Sequence, residues 1–393
     1  MSKYCFLKNQ VLKNEPPTLW KTSGNRSGRP GASWMVPSQR QVSRRGTLEL
    51  DTCPVPKRAG FSDPDYYIWG GSMTEGPEGR YHLFYSRWPR ERGFKSWVTD
   101  SEVARAVAEN PLGPYRHVEV ALPRRGRQYW DGLTTHNPTV QRFGDRYYLY
   151  YMGTTADEEE AEEKKFWAHR NNQRIGVAVA DHPTGPWERS SAPLINVSEE
   201  RDAPDALMAS NPSVTKRADG RYLMVYKAVG LERELPFGGP VVLLSAVADT
   251  PTGPFEKKLN PIFTVPGRDF PVEDPFIWHS SERSRYYAIV KDKHGAFTGV
   301  DSTDTDTSDQ GYSLALLASP TGDDQWQVTD SPLVSRTQVR WADGKVQDFS
   351  RLERPQLWFK DGRPAILFCA ATVDQQHSLN VHIPLMPVDQ LSG

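Results

Sequence analysis

Residues 131–153, "DGLTTHNPTVQRFGDRYYLYYMG", predict the architecture of the chain because their plan recurs along it. The stretch runs from a polar residue and a proline through a short strand and a Gly/Asp/Arg turn into a second strand rich in aromatic residues. Four other stretches share this plan: "YYIWGGSMTEGPEGRYHLFYS" (66–86), "DALMASNPSVTKRADGRYLMVYKA" (205–228), "FPVEDPFIWHSSERSRYYAIVKD" (270–292) and "SRLERPQLWFKDGRPAILFCAA" (350–371). Repetition at this scale predicts that one supersecondary unit is used five times.

A second motif follows each of the first four repeats. In it, a strand of small apolar residues meets a Pro-x-Gly turn, and an aromatic residue then opens a further strand. The copies are "AVAENPLGPY" (106–115), "AVADHPTGPW" (178–187), "AVADTPTGPF" (246–255) and the degraded "LLASPTGDDQW" (316–326). Together the two motifs give four short antiparallel strands per repeat, so the sequence predicts an all-β, five-bladed β-propeller.

The predicted propeller is a single domain at residues 45–393, preceded by an irregular arm at 1–44 that is rich in Pro, Ser, Gly, Lys and Arg. The fifth repeat holds only three strands, and we expect "GTLELDTC" at 46–53 to supply the N-terminal strand that closes the ring. Helical patterns are nearly absent, and even "SEVARAVAEN" lies in register with strands of the other repeats. The polar insertions at 156–165 and 301–310 predict exposed loops.

Composition and charge exclude several classes of protein. With 48 basic and 49 acidic residues, the chain has no overall field that would attract nucleic acid or a membrane surface. It has neither an apolar run of about 18 residues nor the apolar centre of a secretory signal. We therefore expect a cytoplasmic protein as the chain stands, or a periplasmic or secreted one if its N-terminus has been trimmed. The three cysteines lack metal-ligand spacing, as expected of reduced thiols, and oligomeric state stays open.

The residues that begin the inner strands of a propeller converge on the mouth of its central channel. At these positions the five repeats have Gly71, Asn137, Asn211, Asp274 and Arg354, which we call the marks. Beside them stand His136, Glu273 and Glu353. Several carboxylates at one mouth raise the pKa of at least one, which leaves an acid beside an ionised base. Glycoside hydrolysis needs such a pair. The alternative is that Glu353 with Arg354, or Glu273 with a neighbouring lysine, forms an ion pair that locks the blades together.

Further charged and aromatic residues recur near these marks. An aspartate precedes each mark by five or six residues: Asp65, Asp131, Asp205, Asp269 and Asp348. These aspartates either brace a turn through backbone N–H groups or supply a catalytic carboxylate. Cations stand at the ends of second strands and before a third strand: Arg87, Lys227, Lys291, Arg170 and Arg174. They either neutralise the carboxylates or bind an anionic group on a ligand. Trp69, Trp88 and Trp130 either stack on sugar rings or belong to the core.

These motifs resemble the five-bladed β-propeller glycoside hydrolases, the group that contains families 43, 32, 68, 117 and 130. The resemblance extends over residues 60–386 and rests on "NPTVQRFGDRYYLYYMG" (137–153), the "AVADTPTGPF" turns and "VEDPFIW" (272–278). The last segment is similar to the Glu-x-Pro segment that carries the general acid of family 43. The resemblance therefore implies the propeller fold and Glu273 as the acid. Glu353 in "LERPQLW" repeats the pattern one blade later.

The base that the resemblance implies has no direct counterpart. Family 43 is expected to carry it as an aspartate in the first blade, where this chain has Gly70, Gly71 and Ser72, and to carry a second aspartate near Asn137. We therefore expect another aspartate to act as base and a histidine, as family 117 is expected to use, to tune the site or replace the acid. The catalytic candidates are Glu273, Asp131, Asp205, His136 and Glu353. The substrate-binding candidates are Asp65, Trp69, Asn137, Arg174, Asn211, Lys227, Asp274, Lys291 and Arg354.

The leading hypothesis is an exo-acting glycoside hydrolase whose funnel accepts a terminal sugar, with an anionic sugar as one option, from an oligosaccharide or glycoside. The alternatives are a carbohydrate-binding propeller without catalysis and a phosphorylase resembling family 130, in which Lys227, Lys291 and Arg354 hold phosphate. No cofactor is required, although oxygen atoms of the channel could hold Ca²⁺ or another divalent ion, and His136 a transition metal. An inverting carboxyl pair should lie roughly 6.5–9.5 Å apart, and a retaining pair about 5–5.5 Å.

Overall fold

The computed structural model describes residues 48–156, 162–300 and 312–391. These residues form five four-stranded antiparallel sheets and one two-stranded hairpin. Each four-stranded sheet is one blade, and the predicted five-bladed propeller is confirmed. The arm predicted at 1–44 and the insertion at 301–310 lie outside the described residues. No helix in the described ranges is both long and apolar enough to cross a membrane.

The first strand of the described residues, β1 (Gly60–Phe61), belongs to the last blade, and the first three blades use consecutive strands. Blade 1 contains β2 (Tyr66–Glu75), β3 (Tyr81–Pro89), β4 (Glu102–Ala108) and β5 (Arg116–Leu122). Blade 2 contains β6 (Thr134–Phe143), β7 (Arg146–Thr154), β8 (Arg174–Ala180) and β9 (Glu188–Arg189). Blade 3 contains β10 (Met208–Lys216), β11 (Tyr222–Val229), β12 (Val241–Ala248) and β13 (Glu256–Ile262).

The remaining blades complete the ring. Blade 4 contains β14 (Val272–Ser280), β15 (Arg285–Lys293), β16 (Tyr312–Ser319) and β17 (Gln327–Ser335). A hairpin of β18 (Gln338–Arg340) and β19 (Val346–Asp348) follows it. Blade 5 contains β20 (Arg351–Lys360), β21 (Arg363–Thr372) and β22 (Ser378–Pro384), with β1 on its outer edge.

The closing strand comes from the N-terminal side, but not from the predicted residues. Gly60 and Phe61 pair with β22, whereas residues 48–53 of the expected segment form no strand. In that segment Cys53 donates one backbone hydrogen bond to the Pro384 carbonyl, at 2.8 Å. The prediction of 46–53 was therefore wrong. Phe61 adds its ring to the core at the blade edge, and Leu50 of the expected segment is buried in the same core without pairing as a strand.

Helices occur in two connections between strands. α1 (Trp97–Asp100) lies between β3 and β4, and α2 (Glu162–Asn171) lies between β7 and β8. The insertion at 156–165 was predicted as an exposed loop, but its residues from 162 onward begin α2. The prediction that "SEVARAVAEN" forms a strand is confirmed by β4. Single 3₁₀ turns complete the set: Lys57–Ala59, Arg90–Arg92, Phe94–Ser96 and Val388–Gln390.

The blades pack closely because their third strands present small side chains. Fully buried alanines on four of these strands leave room for the neighbouring blade: Ala104, Ala178, Ala246 and Ala315. Buried tyrosines from the second strands pack in the same cores, and two of them have hydrogen-bonded hydroxyls. Tyr85 bonds His117 at 2.8 Å, and Tyr150 donates to the Pro251 carbonyl at 2.7 Å. Burial of a tyrosine is stable when its polar end is satisfied in this way.

Candidate active site

Every inner strand contains a β-bulge at the same position, where its register with the second strand shifts. One residue at each bulge has a positive φ: Gly70 (59°), Asn137 (50°), Asn211 (52°), Asp274 (54°) and Arg354 (54°). A bulge re-aims a side chain, here toward the propeller axis. The predicted marks of blades 2 to 5 are these residues, whereas in blade 1 the position belongs to Gly70 and not to Gly71.

Four of these side chains form a hydrogen-bonded ring across the axis, which we call the floor ring. Asn137 Nδ2 donates to Asn211 Oδ1 at 2.8 Å, and Asn211 Nδ2 donates to Asp274 Oδ1 at 2.8 Å. Arg354 completes the ring from blade 5: Nη1 donates to Asp274 Oδ1 at 3.4 Å, and Nη2 donates to the Asn137 carbonyl at 3.3 Å. The floor ring closes the channel with side chains from four blades.

Gly70 leaves space for the fifth blade's arginine. A Cβ atom at Gly70 would lie 3.2 Å from Asn137 Oδ1 and 3.7 Å from the Arg354 side chain. An arginine rarely adopts a φ of 54°, and such a conformation persists only where surrounding contacts hold it. Residues 70–72 thus supply no carboxylate, and the Arg354 side chain from blade 5 lies beside Gly70.

A cavity of about 150 Å³ lies above the floor ring. One side of it, the aromatic wall, consists of Trp69, Trp88, Phe94, Trp97 and His136. The other side, the polar wall, consists of Gln173, Lys227, Glu273, Arg351 and Glu353. All four floor-ring residues also line the cavity. The structure thus brings together most of the residues that the repeats placed at the mouth of the channel.

His136 is a neutral member of the aromatic wall. Its ring stacks on Trp97 with the centroids 4.9 Å apart and meets Trp88 edge-on at 5.6 Å. Nδ1 is hydrogen bonded to the Ser101 hydroxyl at 2.7 Å. Burial, together with the nearby positive charge of Arg354, holds the pKa of His136 well below its usual range. At neutral pH this imidazole therefore carries no charge.

The two glutamates of the polar wall share one ammonium group. Lys227 Nζ donates to Glu273 Oε1 at 2.6 Å, and Lys291 Nζ donates to Glu273 Oε2 at 3.3 Å. The same Lys291 Nζ donates to Glu353 Oε1 at 2.7 Å. Glu353 Oε1 also accepts the Tyr312 hydroxyl at 2.8 Å. The alternative of an ion pair between Glu273 and a neighbouring lysine thus describes the geometry of Glu273, whereas Glu353 pairs with Lys291 and the expected partner Arg354 pairs with Asp274.

Proton affinities differ sharply among the three buried carboxyls. Burial opposes ionisation of Glu273, but the ammonium groups of Lys227 and Lys291 outweigh it and hold its pKa well below the usual range. The pKa of Glu353 is lowered too, since Lys291 offsets the effect of burial. For Asp274, burial and the adjacent Glu273 raise the pKa to about 6. The carboxyl that keeps a proton nearest neutral pH is therefore Asp274, whereas the sequence suggested Glu273.

Comparison with known proteins supports the same architecture. No protein-family model and no curated protein matches the sequence. A family 117 glycoside hydrolase of the marine bacterium Zobellia galactanivorans is 16% identical, with a TM-score of 0.54 over 86% of this chain and 91% of that chain. An endo-arabinase of Bacteroides thetaiotaomicron is 12% identical, with a TM-score of 0.52 over 86% and 98%. A Bacillus subtilis arabinanase is 13% identical, with a TM-score of 0.53 over 83% and 96%.

This chain has the fold of the five-bladed glycoside hydrolases. The predicted resemblance is thereby confirmed for the architecture. Identities of this size show a shared fold, so the activity has to be argued from the residues of the cavity itself.

Within this glycoside hydrolase fold, the two expected base residues lie outside the cavity. Asp131 is fully buried and accepts hydrogen bonds from Arg125 Nε and the Tyr151 hydroxyl, each at 2.6 Å. Asp205 is also fully buried and accepts a hydrogen bond from Lys257 Nζ at 2.7 Å. Both precede the inner strand and brace the connection that leads into it. The expectation that one of them faces the reaction centre does not agree with this placement.

Three other repeated aspartates lie at the surface. Asp65 is exposed, and its backbone carbonyl accepts the Arg90 N–H at 2.9 Å. Asp269 is exposed and pairs with Arg233, and Asp348 accepts a hydrogen bond from Gln338. Asp65 was a substrate-binding candidate, but the structure places it outside the cavity. The set as a whole serves the connections between blades.

Two predicted cations differ in position from Lys227 and Lys291. Arg87 follows Ser86, the residue aligned with those lysines, so its side chain leaves the opposite face of the sheet and pairs with Glu102 at 3.0 Å. Arg174 does not line the cavity. Its guanidinium donates to Asn196 Oδ1 and to the backbone carbonyls of Asn171, Gln173 and Leu207. Trp130 likewise packs on Tyr151 at 5.8 Å and not on the cavity.

Four cavity residues were not found by sequence reasoning. Phe94 and Trp97 come from the connection between β3 and β4, and Gln173 follows the end of α2. Connections of irregular length carry no repeat, so the propeller pattern does not place them. Arg351 was findable, because it stands two residues before Glu353 on β20 and side chains two apart share a face.

The floor ring does not fit a divalent cation. Its carboxylate and amide oxygens are of the type that binds Ca²⁺, but Arg354 already contributes a positive charge in hydrogen-bond contact with Asp274. Among the residues that the structure describes, no group of three or more His, Cys, Asp or Glu side chains could hold a metal ion. The Arg354 guanidinium lies at the axis, where the sequence suggested that Ca²⁺ or another divalent ion could bind.

Proposed function

We propose that this chain is an exo-acting glycoside hydrolase that receives a terminal sugar in the cavity. The observation that carries the proposal is the pairing of an aromatic wall with two carboxylates that share Lys291. Aromatic rings stack on the apolar face of a sugar, and convergent polar groups orient its hydroxyls. The shared fold with glycoside hydrolases supports the same reaction class.

The shape of the cavity supports action at a chain end. The floor ring closes the channel beneath the cavity through hydrogen bonds among four blades. A polysaccharide therefore cannot pass through, and the cavity receives only a terminus. Near the cavity the cations Lys227, Lys291, Arg351 and Arg354 outnumber the carboxyls Glu273, Asp274 and Glu353 by one. This excess favours a terminal sugar with an anionic group.

Glu273 and Glu353 are the pair that we assign to catalysis. The two oxygens that share the Lys291 ammonium group lie at most about 6 Å apart, below the roughly 6.5–9.5 Å of an inverting pair, so we assign a retaining pair. We assign Glu353 as nucleophile because Lys291 and Tyr312 keep it ionised. When a sugar displaces the ammonium groups from Glu273, burial is no longer opposed and raises the pKa of Glu273. Glu273 then takes up the proton that a general acid donates.

Release assays test this proposal. Wild type, Glu273→Gln, Glu353→Gln and Glu102→Gln would be compared on aryl glycosides and on plant and algal oligosaccharides, with and without phosphate. Glu102 is the matched control because it is also a strand glutamate in an ion pair, with Arg87, but does not line the cavity. We expect both cavity variants to lose a factor of about 100 or more and the control to retain activity. Retention of anomeric configuration by NMR would support the nucleophile assignment, and inversion would refute it.

A second candidate is a sugar-binding propeller without catalysis. It is favoured by the ion pairing of both cavity glutamates and by the glycines where family 43 is expected to carry its base. This candidate predicts glycan binding by wild type and Glu273→Gln with no bond cleaved in either. Turnover that requires phosphate would instead indicate the phosphorylase alternative, with cavity cations holding the phosphate.

A further inference from the structure

Apolar side chains reach the surface on the second half of α2 and on the loop at residues 231–239. We call three of them the apolar rim: Trp167, Leu235 and Phe237. Leu235 is 54% exposed and Phe237 is 46% exposed, whereas Trp167 is half-buried and packs edge-on against Phe237 at 6.2 Å. Clustered apolar groups on a polar surface mark an interaction site.

The apolar rim adjoins the cavity through α2. Gln173 of the polar wall follows the last residue of α2, and α2 packs against α1, which begins with Trp97 of the aromatic wall. Arg170 of α2 is close enough to interact with Glu273. Burial lowers the pKa of Arg170 to about 10, and the negative charge of Glu273 opposes that shift. Arg170 therefore lies between the two, with a hydrogen bond to Phe237 of the rim and an electrostatic interaction with Glu273 of the polar wall.

Hydrogen bonds hold the apolar rim in position before any ligand binds. Arg170 Nη1 donates to the Phe237 carbonyl at 2.6 Å, and the guanidinium carbon lies 4.7 Å from the centroid of the Phe237 ring. Asn171 Nδ2 donates to the Pro236 carbonyl at 2.9 Å, which ties the loop to the helix a second time. Because the exposed ring is already ordered, a ligand that stacks on it pays little conformational entropy.

The cavity has room for one sugar ring. Its volume of about 150 Å³ is comparable to that of an engineered protein cavity of about 150 Å³ that binds a single benzene ring. The floor ring blocks expansion along the axis. In a ligand of two linked sugars, the second ring must therefore lie outside the cavity, over its border.

We propose that the apolar rim binds the second sugar of the ligand, with the face of that sugar stacked on Phe237. This assignment rests on the proposed function and extends the ligand class from a terminal sugar to a glycan of at least two units. Since an aromatic ring attracts a face of C–H groups, we expect the second sugar to be one that presents such a face. Arg170 is already committed to Phe237, so the rim selects by shape and apolar contact.

A glycan array of plant and algal mono- and oligosaccharides tests the rim. The proteins compared are wild type, Phe237→Ala, Phe237→Tyr and Tyr129→Ala, each checked for folding by thermal melting. Tyr129 is the matched control: it is 37% exposed and carries the Arg125 guanidinium 4.3 Å from its ring centroid, yet neither residue lines the cavity. We expect Phe237→Ala to lose about tenfold in affinity for oligosaccharides, and the other two variants to retain it.

The outcomes separate the rim from the proposed function. Oligosaccharide binding that is equal in wild type and Phe237→Ala would overturn the rim and leave the cavity assignment in place. An equal loss in Tyr129→Ala would also overturn it, because that ring lies outside the rim. Failure of wild type to bind any glycan on the array would overturn both assignments. Stronger binding of oligosaccharides than of monosaccharides, lost in Phe237→Ala alone, would support the rim.

Discussion

At Lys291 a single buried ammonium group serves both glutamates of the polar wall. Its Nζ lies 2.7 Å from Glu353 Oε1, 3.3 Å from Glu273 Oε2 and 4.4 Å from the ring centroid of Tyr312. Burial alone would lower the pKa of Lys291, but the two carboxylates raise it well above its usual range. Removing one member of such a group leaves the others buried without compensation.

Replacement of Lys291 with Met should therefore destabilise the protein by about 3–5 kcal/mol at pH 7. Urea titration, followed by tryptophan fluorescence, measures the free energy of unfolding. Arg80→Met is the control, because Arg80 and its partner Glu109 are 54% and 71% exposed and surface pairs contribute about 0–1 kcal/mol. Similar losses in the two variants would contradict the role of the shared ammonium group.

The loss in Lys291→Met should shrink on acidification. In wild type the cations hold the folded-state pKa of Glu273 and Glu353 below the unfolded value of about 4.3, so their stabilisation is fully present above that pH and disappears below it. In the variant, burial is less opposed, and the carboxyls penalise folding only while they are ionised. The difference in unfolding free energy between the two proteins should be larger at pH 7 than at pH 4.

Among the elements, β1 closes the ring with a very short ladder. It pairs only Gly60 with Val381 and Phe61 with Asn380. The Phe61 ring adds a contact that the ladder lacks, since it packs edge-on against Tyr85 of blade 1 with the centroids 5.0 Å apart. Closure between blades 5 and 1 therefore depends on a buried side chain as much as on backbone pairing.

Phe61→Ala should cost about 3–5 kcal/mol and loosen the ring at this junction. We expect faster amide hydrogen exchange in β22 and β3, measured by mass spectrometry. Phe255→Ala is the control, since Phe255 is similarly buried in blade 3, remote in sequence from the closure. Exchange in β22 that rises equally in both variants would argue against a specific role of Phe61 in closure.

For the whole molecule, the floor ring joins blades 2, 3, 4 and 5 around an internal positive charge. We propose that this arginine makes the propeller independent of a central metal ion. Chelation by EDTA, or addition of Ca²⁺ after it, should leave the melting temperature unchanged, since an ion stabilises a protein only if it binds the folded state. A melting temperature that rises with Ca²⁺ concentration would refute the proposal.

Local sequence patterns were sufficient to predict the five blades. The polar-Pro mark and the Pro-x-Gly turn depend on neighbouring residues, so they predicted the inner strands and placed Asn137, Asn211, Asp274 and Arg354 on one axis. In blade 1 the same reasoning selected Gly71, whereas the bulge uses Gly70. Two adjacent glycines have no side chains with which to specify the register, and a shift of one residue exchanges the faces of a strand.

The site depends on distances between blades. The pKa of Glu273 lies well below its usual range because Lys227 comes from blade 3 and Lys291 from the neighbouring strand. In the sequence, Asp131 and Asp205 are candidates for the catalytic base. The fold instead buries them against Arg125 and Lys257. The amino-acid sequence alone specifies five blades and the ring of residues that faces their axis, because strand and turn preferences are local. Folding selects which side chains meet and which carboxyl keeps a proton, because burial and ion pairing act through space.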